Sequence, residues 1–269
     1  MDFGKMKMKE VPSPPLIAIY GSPGIGKTAF GIGANASNDF KVGKENHLLL
    51  NIDYRGADRL TCNRATELLG HPITGTADLN EIFQSLAEQD HSIEWLIFDD
   101  LSTLEERFVK EVCSENGVSD IASIEYGKGF ALAQTKWLHL FHMIKTLQEI
   151  KPIAILLIGH TKIESLKDPM SESYSRHDLQ LNKKSTEIIK KAVDLIGYAH
   201  RKSLTKTVDS GFGAKETVAI GEAQRVISFS PDTEGFESKD RFNLPKEIAL
   251  DWSVFETELS KSISTKKTK

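Results

Sequence analysis

An apolar segment followed by a glycine-rich octapeptide constrains the fold of this chain more than any other feature. The segment PLIAIY, residues 15–20, leads directly into GSPGIGKT, residues 21–28, which matches the pattern G-x-x-x-x-G-K-[ST]. Glycine adopts backbone conformations that other residues avoid, so such a loop can turn its N–H groups inward toward phosphate oxygens. The motif requires a strand before it and a helix after it, and the sequence predicts both. The stretch is therefore predicted to be a phosphate-binding loop.

Single positions of this loop have separate chemical roles. The Lys27 ammonium is expected to reach the β- and γ-phosphates, and the Thr28 hydroxyl is expected to ligate Mg²⁺. A helix starting near Thr28 would add the positive end of its dipole. ATP and Mg²⁺ are the expected ligands. The residues expected to bind the nucleotide are Gly21, Ser22, Pro23, Gly24, Ile25, Gly26, Lys27, Thr28 and Ala29.

Continuous apolar runs that alternate with helical patterns indicate the fold class. The predicted strands are residues 15–20, 47–53, 94–100, 153–160 and 193–200. Runs of this kind are typical of strands buried on both faces, as in a parallel sheet covered by helices. Segments 201–206, 216–222 and 224–230 are expected to add short antiparallel strands to the sheet. The prediction is an α/β fold, doubly wound and mostly parallel, with a C-terminal antiparallel extension.

Composition limits the classes of function. The chain has 269 residues, enough for one large α/β domain, and its formal net charge of −4 argues against a protein that coats DNA. Any nucleic-acid contact would have to be a local basic patch. The two cysteines, Cys62 and Cys113, fit neither a disulfide framework nor a zinc site, which favours a reducing cytoplasm. No apolar run is long enough to span a membrane, so no membrane partner is expected.

Two further strands end in polar residues. The run EWLIFDD ends in Asp99 and Asp100, at the sheet edge where ligands of open α/β folds bind. Asp99 is the predicted metal-side carboxylate, although both aspartates could also cap the helix that follows. The run IAILLIGH ends in His160.

Residues 15–255 resemble the phage RecA-like single-strand annealing and nucleotide-binding ATPases, which have a RecA, RadA or DnaB type of core. The landmarks, in order, are GSPGIGKT, LIFDDLS, EYGKGF before a Trp-bearing helix, LLIGHTK, AVDLIGYAHR and KDRFNLP. The resemblance implies ATP with Mg²⁺, self-assembly as a ring or filament, and single-stranded DNA and a phage single-strand-binding protein as partners. It also implies the cytoplasm of a bacterial host. The expected organisation is an N-terminal tail at 1–14, an ATPase domain at 15–255 and a basic tail at 256–269.

The same resemblance implies roles for several residues. His160 would sense the γ-phosphate, and the following polar stretch, residues 162–185, would be a DNA-contacting loop. Lys239 and Arg241 match a Lys-x-Arg element that reaches the nucleotide site of a neighbouring subunit, where arginine stabilises charge on the transferring phosphoryl group. The alternative is a pair of solvated cations at a strand edge. Asn243 stands where RadA has glycine, which leaves the local loop geometry open.

The residue that activates water is less clear from the sequence. RecA-like hydrolases usually carry a glutamate just after the second strand, but NIDYRGADR has Arg55 at the nearest matching position. Asp53 or Asp100 could serve as the base, although a shorter side chain must sit closer to the water. Slow hydrolysis, or ATP used mainly as an assembly switch, is a corresponding expectation.

Single-strand binding requires cations along a groove and aromatic rings for stacking. The candidates are Tyr126, Lys128, Lys162, Lys167, Tyr174, Arg176, Lys183 and Lys184. The segment YGKGF, residues 126–130, is predicted to be a flexible loop. Two other functions remain open: a motor that moves along DNA, and a nucleotide-switched regulatory or scaffold protein without DNA binding.

Overall fold

The computed structural model describes residues 13–52, 56–166, 173–202, 205–209, 215–219, 224–230 and 235–266. The predicted buried strands are all present. The strands are β1 Leu16–Gly21, β2 His47–Asn51, β3 Asn63–Arg64, β4 Trp95–Asp99, β5 Ala154–Leu166, β6 Tyr174–Leu179, β7 Leu195–Lys202, β8 Thr205–Asp209, β9 Lys215–Ala219, β10 Gln224–Ser228, β11 Lys239–Asp240 and β12 Glu247–Ala249.

The main sheet has the order β12-β10-β7-β1-β5-β4-β2-β3. The strands from β7 to β3 in this order pair in parallel, while β10 and β12 add antiparallel pairs at one edge. β11 also pairs with β7, and β6 pairs with the outer half of β5. The predicted α/β class, its parallel sheet and its antiparallel extension are confirmed.

The extension differs in detail from the prediction. β8 and β9 pair with each other as a separate two-stranded sheet and do not join the main one. The hydrogen-bonding edge of β7 that they would need is occupied by β10 and β11. The described residues of segments 201–206 and 216–222 therefore add no further strand to the main sheet. Arg201 and Lys202 belong to it only as the last two residues of β7.

Helices cover both faces of the sheet. They are α1 Lys27–Gly31, α2 Ala65–Leu69, α3 Thr76–Glu88, α4 Leu101–Glu115, α5 Lys128–Ile150, α6 Lys183–Ala192 and α7 Trp252–Lys266. Helices α3 to α6 contribute to one apolar cluster, which contains Trp137; α1 and α7 contribute to the other, which contains Trp252. Burying a large apolar side chain contributes about 1.5–3 kcal/mol, so the two clusters fix both layers against the sheet.

Helix α5 carries the apolar face that the sequence predicts. Trp137, Leu140, Ile144 and Leu147 are buried, whereas Phe141 is only half-buried. The helix starts at Lys128, after a short 3-10 turn at Glu125–Gly127. The prediction of a loop over 126–130 is therefore wrong for its second half, where the backbone from Lys128 onward is helical.

Helix α7 extends past the expected end of the domain at residue 255. It continues to Lys266, and Leu259 is buried in the same cluster as Trp252. The segment expected to be a basic tail thus begins as part of the packed structure. No helix within the described ranges is both long and apolar enough to cross a membrane.

Candidate nucleotide site

The glycine-rich loop connects β1 to α1, as its motif requires. Gly24 and Gly26 have φ values of 73° and 111°, in the left-handed region that glycine occupies without strain. Gly21 is required for a different reason, since a Cβ atom there would lie 2.1 Å from the backbone oxygen of Ala199 on β7. The helix begins at Lys27, one residue before the predicted start, and is only five residues long.

Lys27 lies folded against its own loop. Its side chain is buried, and Nζ donates hydrogen bonds to the carbonyl oxygens of Gly21 at 2.8 Å and Ser22 at 3.0 Å. Burial lowers the pKa of Lys27 to about 8, although the carboxylates of Asp99 and Asp100 oppose this shift. The group is therefore mainly protonated at pH 7. It offers a desolvated ammonium at the site where the motif requires one for β- and γ-phosphates.

Asp99 and Thr28 meet at the carboxyl edge of the sheet. Burial raises the pKa of Asp99 to about 6, while a hydrogen bond from the Thr28 hydroxyl lowers it and the charge of Asp100 raises it. The carboxylate is thus ionised at neutral pH and next to the hydroxyl predicted to ligate metal.

This pair fits Mg²⁺. The ion takes one or two protein oxygens and completes its shell with water and substrate phosphates. No cluster of three or more His, Cys, Asp or Glu side chains suited to a metal occurs within the described ranges.

Asp100 is the residue that caps α4. Its Oδ1 accepts hydrogen bonds from the N–H groups of Ser102 at 2.6 Å and Thr103 at 3.0 Å. His160 Nε2 lies 3.6 Å from Oδ2. Burial raises the pKa of Asp100, but the hydrogen bonds from His160 and Thr103 outweigh burial and hold it below its ordinary value. The two aspartates therefore sit in different environments: Asp100 caps the helix, and Asp99, the predicted metal-side carboxylate, faces Thr28.

His160 lies between the loop and the acidic strand because β5 lies between β1 and β4. In the parallel register Gly21 is opposite His160, and Asp99 is opposite Ile158. The ring's Nδ1 is buried and has no hydrogen-bond partner in the described part of the chain. The sequence places this histidine at a strand end, but β5 continues six residues further, to Leu166. The γ-phosphate sensor role itself stays a prediction.

The expected DNA-contacting loop, residues 162–185, is not a loop in the structure. Its first part extends β5, residues 174–179 form the antiparallel partner β6, and α6 begins at Lys183. Residues 167–172, which include the candidate Lys167, lie outside the described residues.

The candidate DNA-binding side chains are in different environments. Arg176 pairs with Glu237 at 2.8 Å, and the Lys162 ammonium donates to the carbonyl of Leu181 at 2.9 Å. Lys128, Lys183 and Lys184 are exposed at the starts of α5 and α6. Tyr174 is half-buried on β6, and the side chain of Tyr126 is outside the described part of the structure, as is Asp53.

Lys239 and Arg241 lie far from their own phosphate-binding loop. Lys239 pairs with Ile196 near the start of β7, and its ammonium donates to the carbonyls of Lys190 and Val193 at the end of α6. Arg241 is 3.1 Å from Asp194, and its side chain is 59% exposed. Both cations therefore have partners inside the chain, and their predicted role in a neighbouring subunit stays a prediction.

One residue near the loop has no sequence motif to indicate it. Arg225, on the antiparallel strand β10, approaches so closely that a Cβ atom on Gly26 would lie 2.9 Å from its Nη1. Arg225 comes 199 positions after Gly26, and only the sheet order brings the two together.

A strand–loop–helix cradle, a buried lysine, and a hydrogen-bonded pair formed by Thr28 on α1 and Asp99 at the end of β4 define a P-loop nucleoside-triphosphatase of the α/β class. Comparison with protein families places the chain more narrowly. Residues 13–242 match the AAA domain family, and the protein belongs to that family. A comparison with curated proteins gives no match. The family supports a nucleotide-binding ATPase that typically uses Mg²⁺; the finer resemblance to phage annealing proteins stays a prediction.

Proposed function

We propose that the protein is an ATP-hydrolysing, RecA-like phage recombination protein that uses its nucleotide state to control the binding and annealing of single-stranded DNA. The observation that supports this most is the continuity of β5. One strand runs between the loop and the acidic strand, carries His160 beside Asp100, and continues outward as half of the β5–β6 hairpin. The β5–β6 hairpin would then carry both the residue that responds to the γ-phosphate and a surface that binds single-stranded DNA.

The chain's own residues have defined parts in nucleotide chemistry. Lys27 neutralises charge on the β- and γ-phosphates, and Thr28 with Asp99 would hold Mg²⁺. Bound Mg²⁺ would supply charge neutralisation on the phosphate oxygens. Asp100 is a weak candidate base, because the hydrogen bonds that it already accepts hold its pKa low. Slow turnover, with ATP acting mainly as a switch, is consistent with this arrangement.

A second connection joins the loop strand to the hairpin. The Tyr20 hydroxyl, adjacent to Gly21 in sequence, lies 3.0 Å from the carbonyl oxygen of His177 on β6 and 2.8 Å from that of Glu237. The first of these contacts holds the base of the hairpin against β1. A shift of His160 toward a phosphate would therefore be transmitted to the hairpin through β5 itself, while Tyr20 holds β6.

The surface proposed for DNA is limited by the ion pairs within it. Among the described candidates, Arg176 is neutralised by Glu237, so the positive charge available to single-stranded DNA is concentrated at Lys183 and Lys184 on α6 and at Lys128 at the start of α5. Few cations among the described candidates predict weak binding, in keeping with the net charge of −4.

The test is binding of fluorescent single-stranded DNA over a range of salt concentrations, with and without a non-hydrolysable ATP analogue. The double change Lys183→Ala and Lys184→Ala should weaken binding and reduce the salt slope by up to about 1.4, since each phosphate contact on a single strand contributes about 0.7. Lys145→Ala with Lys151→Ala, at the far end of α5, removes the same charge as a control. An unchanged slope in the first variant would remove this patch from the interface.

The same experiment separates the competing functions. Absence of binding at low salt, even with the ATP analogue, would favour a nucleotide-switched regulatory or scaffold protein. Fast turnover that DNA stimulates strongly would favour a motor. ATP-dependent binding with slow turnover and faster annealing of complementary strands supports the proposal.

Self-assembly is the remaining part of the proposal, with Arg241 completing the site of a neighbouring subunit. Mixing Lys27→Ala and Arg241→Ala subunits should then restore ATPase activity that neither has alone, because some interfaces combine an intact loop with an intact arginine. Asp194→Asn is the matched control, since it breaks the internal ion pair but leaves Arg241 in place. A protein that stays monomeric with ATP and DNA, yet hydrolyses ATP normally, contradicts the shared site.

A further inference from the structure

The sheet order fixes the direction in which a nucleotide would lie. The groups suited to the γ-phosphate and metal, Asp99 and His160, are on β4 and β5, which lie on one side of β1. A triphosphate bound by the loop, with its γ-phosphate toward Asp99 and His160, must extend its nucleoside to the other side of β1. That side is formed by β7 and β10.

Arg225 and Phe40 occupy this position. The Arg225 guanidinium lies over the Phe40 ring, with its carbon 4.7 Å from the ring centroid. The same guanidinium borders Gly26, at the end of the loop nearest the nucleoside, and Leu250 lies 3.7 Å from the Cβ position of that glycine. Both Arg225 and Phe40 are half-buried, so each retains surface that a ligand could contact.

The segment that carries Phe40 is held in place by the rest of the fold. The N–H of Ala36 donates to Asp251 Oδ2 at 3.0 Å, and the N–H of Gly43 donates to the Thr61 carbonyl at 2.8 Å. Phe40 itself has φ 55°, a left-handed conformation that is uncommon for a bulky residue. A ring fixed in this way restrains the guanidinium above it, which lowers the entropy that a ligand would have to overcome.

We propose that Arg225, positioned by Phe40, forms the nucleobase-binding surface of this site. The base of a nucleoside triphosphate stacks on the face of the guanidinium opposite Phe40, giving a base–arginine–phenylalanine stack beside the loop. This inference rests on the proposed nucleotide binding. It assigns recognition of the base to β10 and to the segment after α1, in addition to the phosphate recognition by the loop motif.

The test compares, by calorimetry, the affinity for ATP with that for inorganic tripolyphosphate, both with Mg²⁺. Arg225→Lys keeps the charge but removes the planar stacking group, so it should weaken ATP binding roughly tenfold and leave tripolyphosphate binding unchanged. Phe40→Leu should produce the same selective loss, and Phe40→Tyr, which keeps the ring, should restore the wild-type ratio. Circular dichroism of each variant establishes that it is folded.

Each outcome bears on the inference. If the ratio of ATP to tripolyphosphate affinity is the same in Arg225→Lys, Phe40→Leu and wild type, the base does not bind here and the inference is overturned, while the proposed ATPase stands. If the wild-type protein binds neither ligand, both the base site and the proposed function are wrong. A selective loss of ATP affinity, rescued by tyrosine, supports the stack.

Discussion

Replacing the carboxylate of Asp99 with an amide should stabilise the protein in the absence of metal. Burial raises the pKa of Asp99 from its ordinary 3.8 to about 6, which means that the folded state disfavours its charge. Each pH unit corresponds to about 1.4 kcal/mol, so the ionised group destabilises the empty protein by up to about 3 kcal/mol at pH 7. The attraction between Asp99 and Lys27 is lost in the variant and reduces the gain. We expect Asp99→Asn to raise the free energy of unfolding by about 1–3 kcal/mol.

The free energy of unfolding should also depend on pH with a definite sign. A carboxyl whose pKa is raised in the folded state binds more protons when folded than when unfolded between pH 3.8 and about 6, so stability falls as pH rises through this window. The advantage of Asp99→Asn over wild type should therefore grow from pH 4 to 6 and stay constant above it. Asp100 has its pKa lowered, so its contribution to stability is present above its ordinary value and is lost as pH falls.

Urea unfolding in EDTA at several pH values measures both effects. The neighbouring change, Asp100→Asn, is the matched control: it keeps an oxygen that can cap α4 but should destabilise the protein at pH 7. With saturating Mg²⁺ and ATP, the order should reverse for Asp99→Asn, because the wild-type protein gains binding energy that the variant loses. If Asp99→Asn is less stable than wild type at pH 7 without metal, or if its advantage does not vary with pH, the buried-charge reasoning is wrong.

Three further changes test the loop and its surroundings. Lys27→Ala should abolish ATP turnover and strongly weaken nucleotide binding; wild-type affinity in calorimetry would count against the phosphate-binding role. Gly21→Ala should destabilise the fold by about 1–3 kcal/mol in urea unfolding, because its Cβ would lie 2.1 Å from a backbone oxygen of β7. Lys239→Ala should cost about 1 kcal/mol by leaving carbonyls at the end of α6 without their donor, and no change in the urea midpoint would show that water replaces it.

Local patterns in the sequence predicted the parts of the fold that depend on neighbouring residues. The P-loop could be found because its glycines, Lys27 and Thr28 are contiguous, and the strand before it is continuously apolar. The strand that ends in Asp99 and the buried first half of the strand that carries His160 are predicted in the same way, from continuous apolar runs. A parallel sheet alone predicts that Asp99 and His160 lie at the same edge, since the carboxyl ends of parallel strands share one edge.

Features that depend on long-range pairing were missed or misassigned. Residues 174–179 read as a polar loop because β6 lies against only the outer half of β5, where few of its side chains enter the core. β8 and β9 were assigned to the main sheet because a strand pattern does not specify its partner. The position of Arg225 beside Gly26 depends on β10 pairing with β7, and no short motif encodes that pairing. The sequence predicts Asp99 as the metal-side carboxylate, but only side-chain contacts identify Asp100 alone as the cap of α4.

The positions of Lys239 and Arg241 limit the kind of assembly in which they could act. Arg241 pairs with Asp194, which is level with Leu16 at the start of β1, five residues before Gly21. At about 3.3 Å per residue, Arg241 lies near the opposite end of the sheet, roughly 16 Å along the strands from its own loop, and Lys239, level with Ala18, lies about 10 Å from that loop. At this distance Arg241 would act on a neighbouring subunit's loop and not on its own. A two-fold dimer can place the arginine of each chain at the loop of the other across one reciprocal interface, and a head-to-tail interface can place each arginine at the loop of the next chain. If Arg241 acts on a neighbour's phosphates, a dimer or a ring has every site complete, whereas a filament ends in one chain whose loop has no arginine from a neighbour.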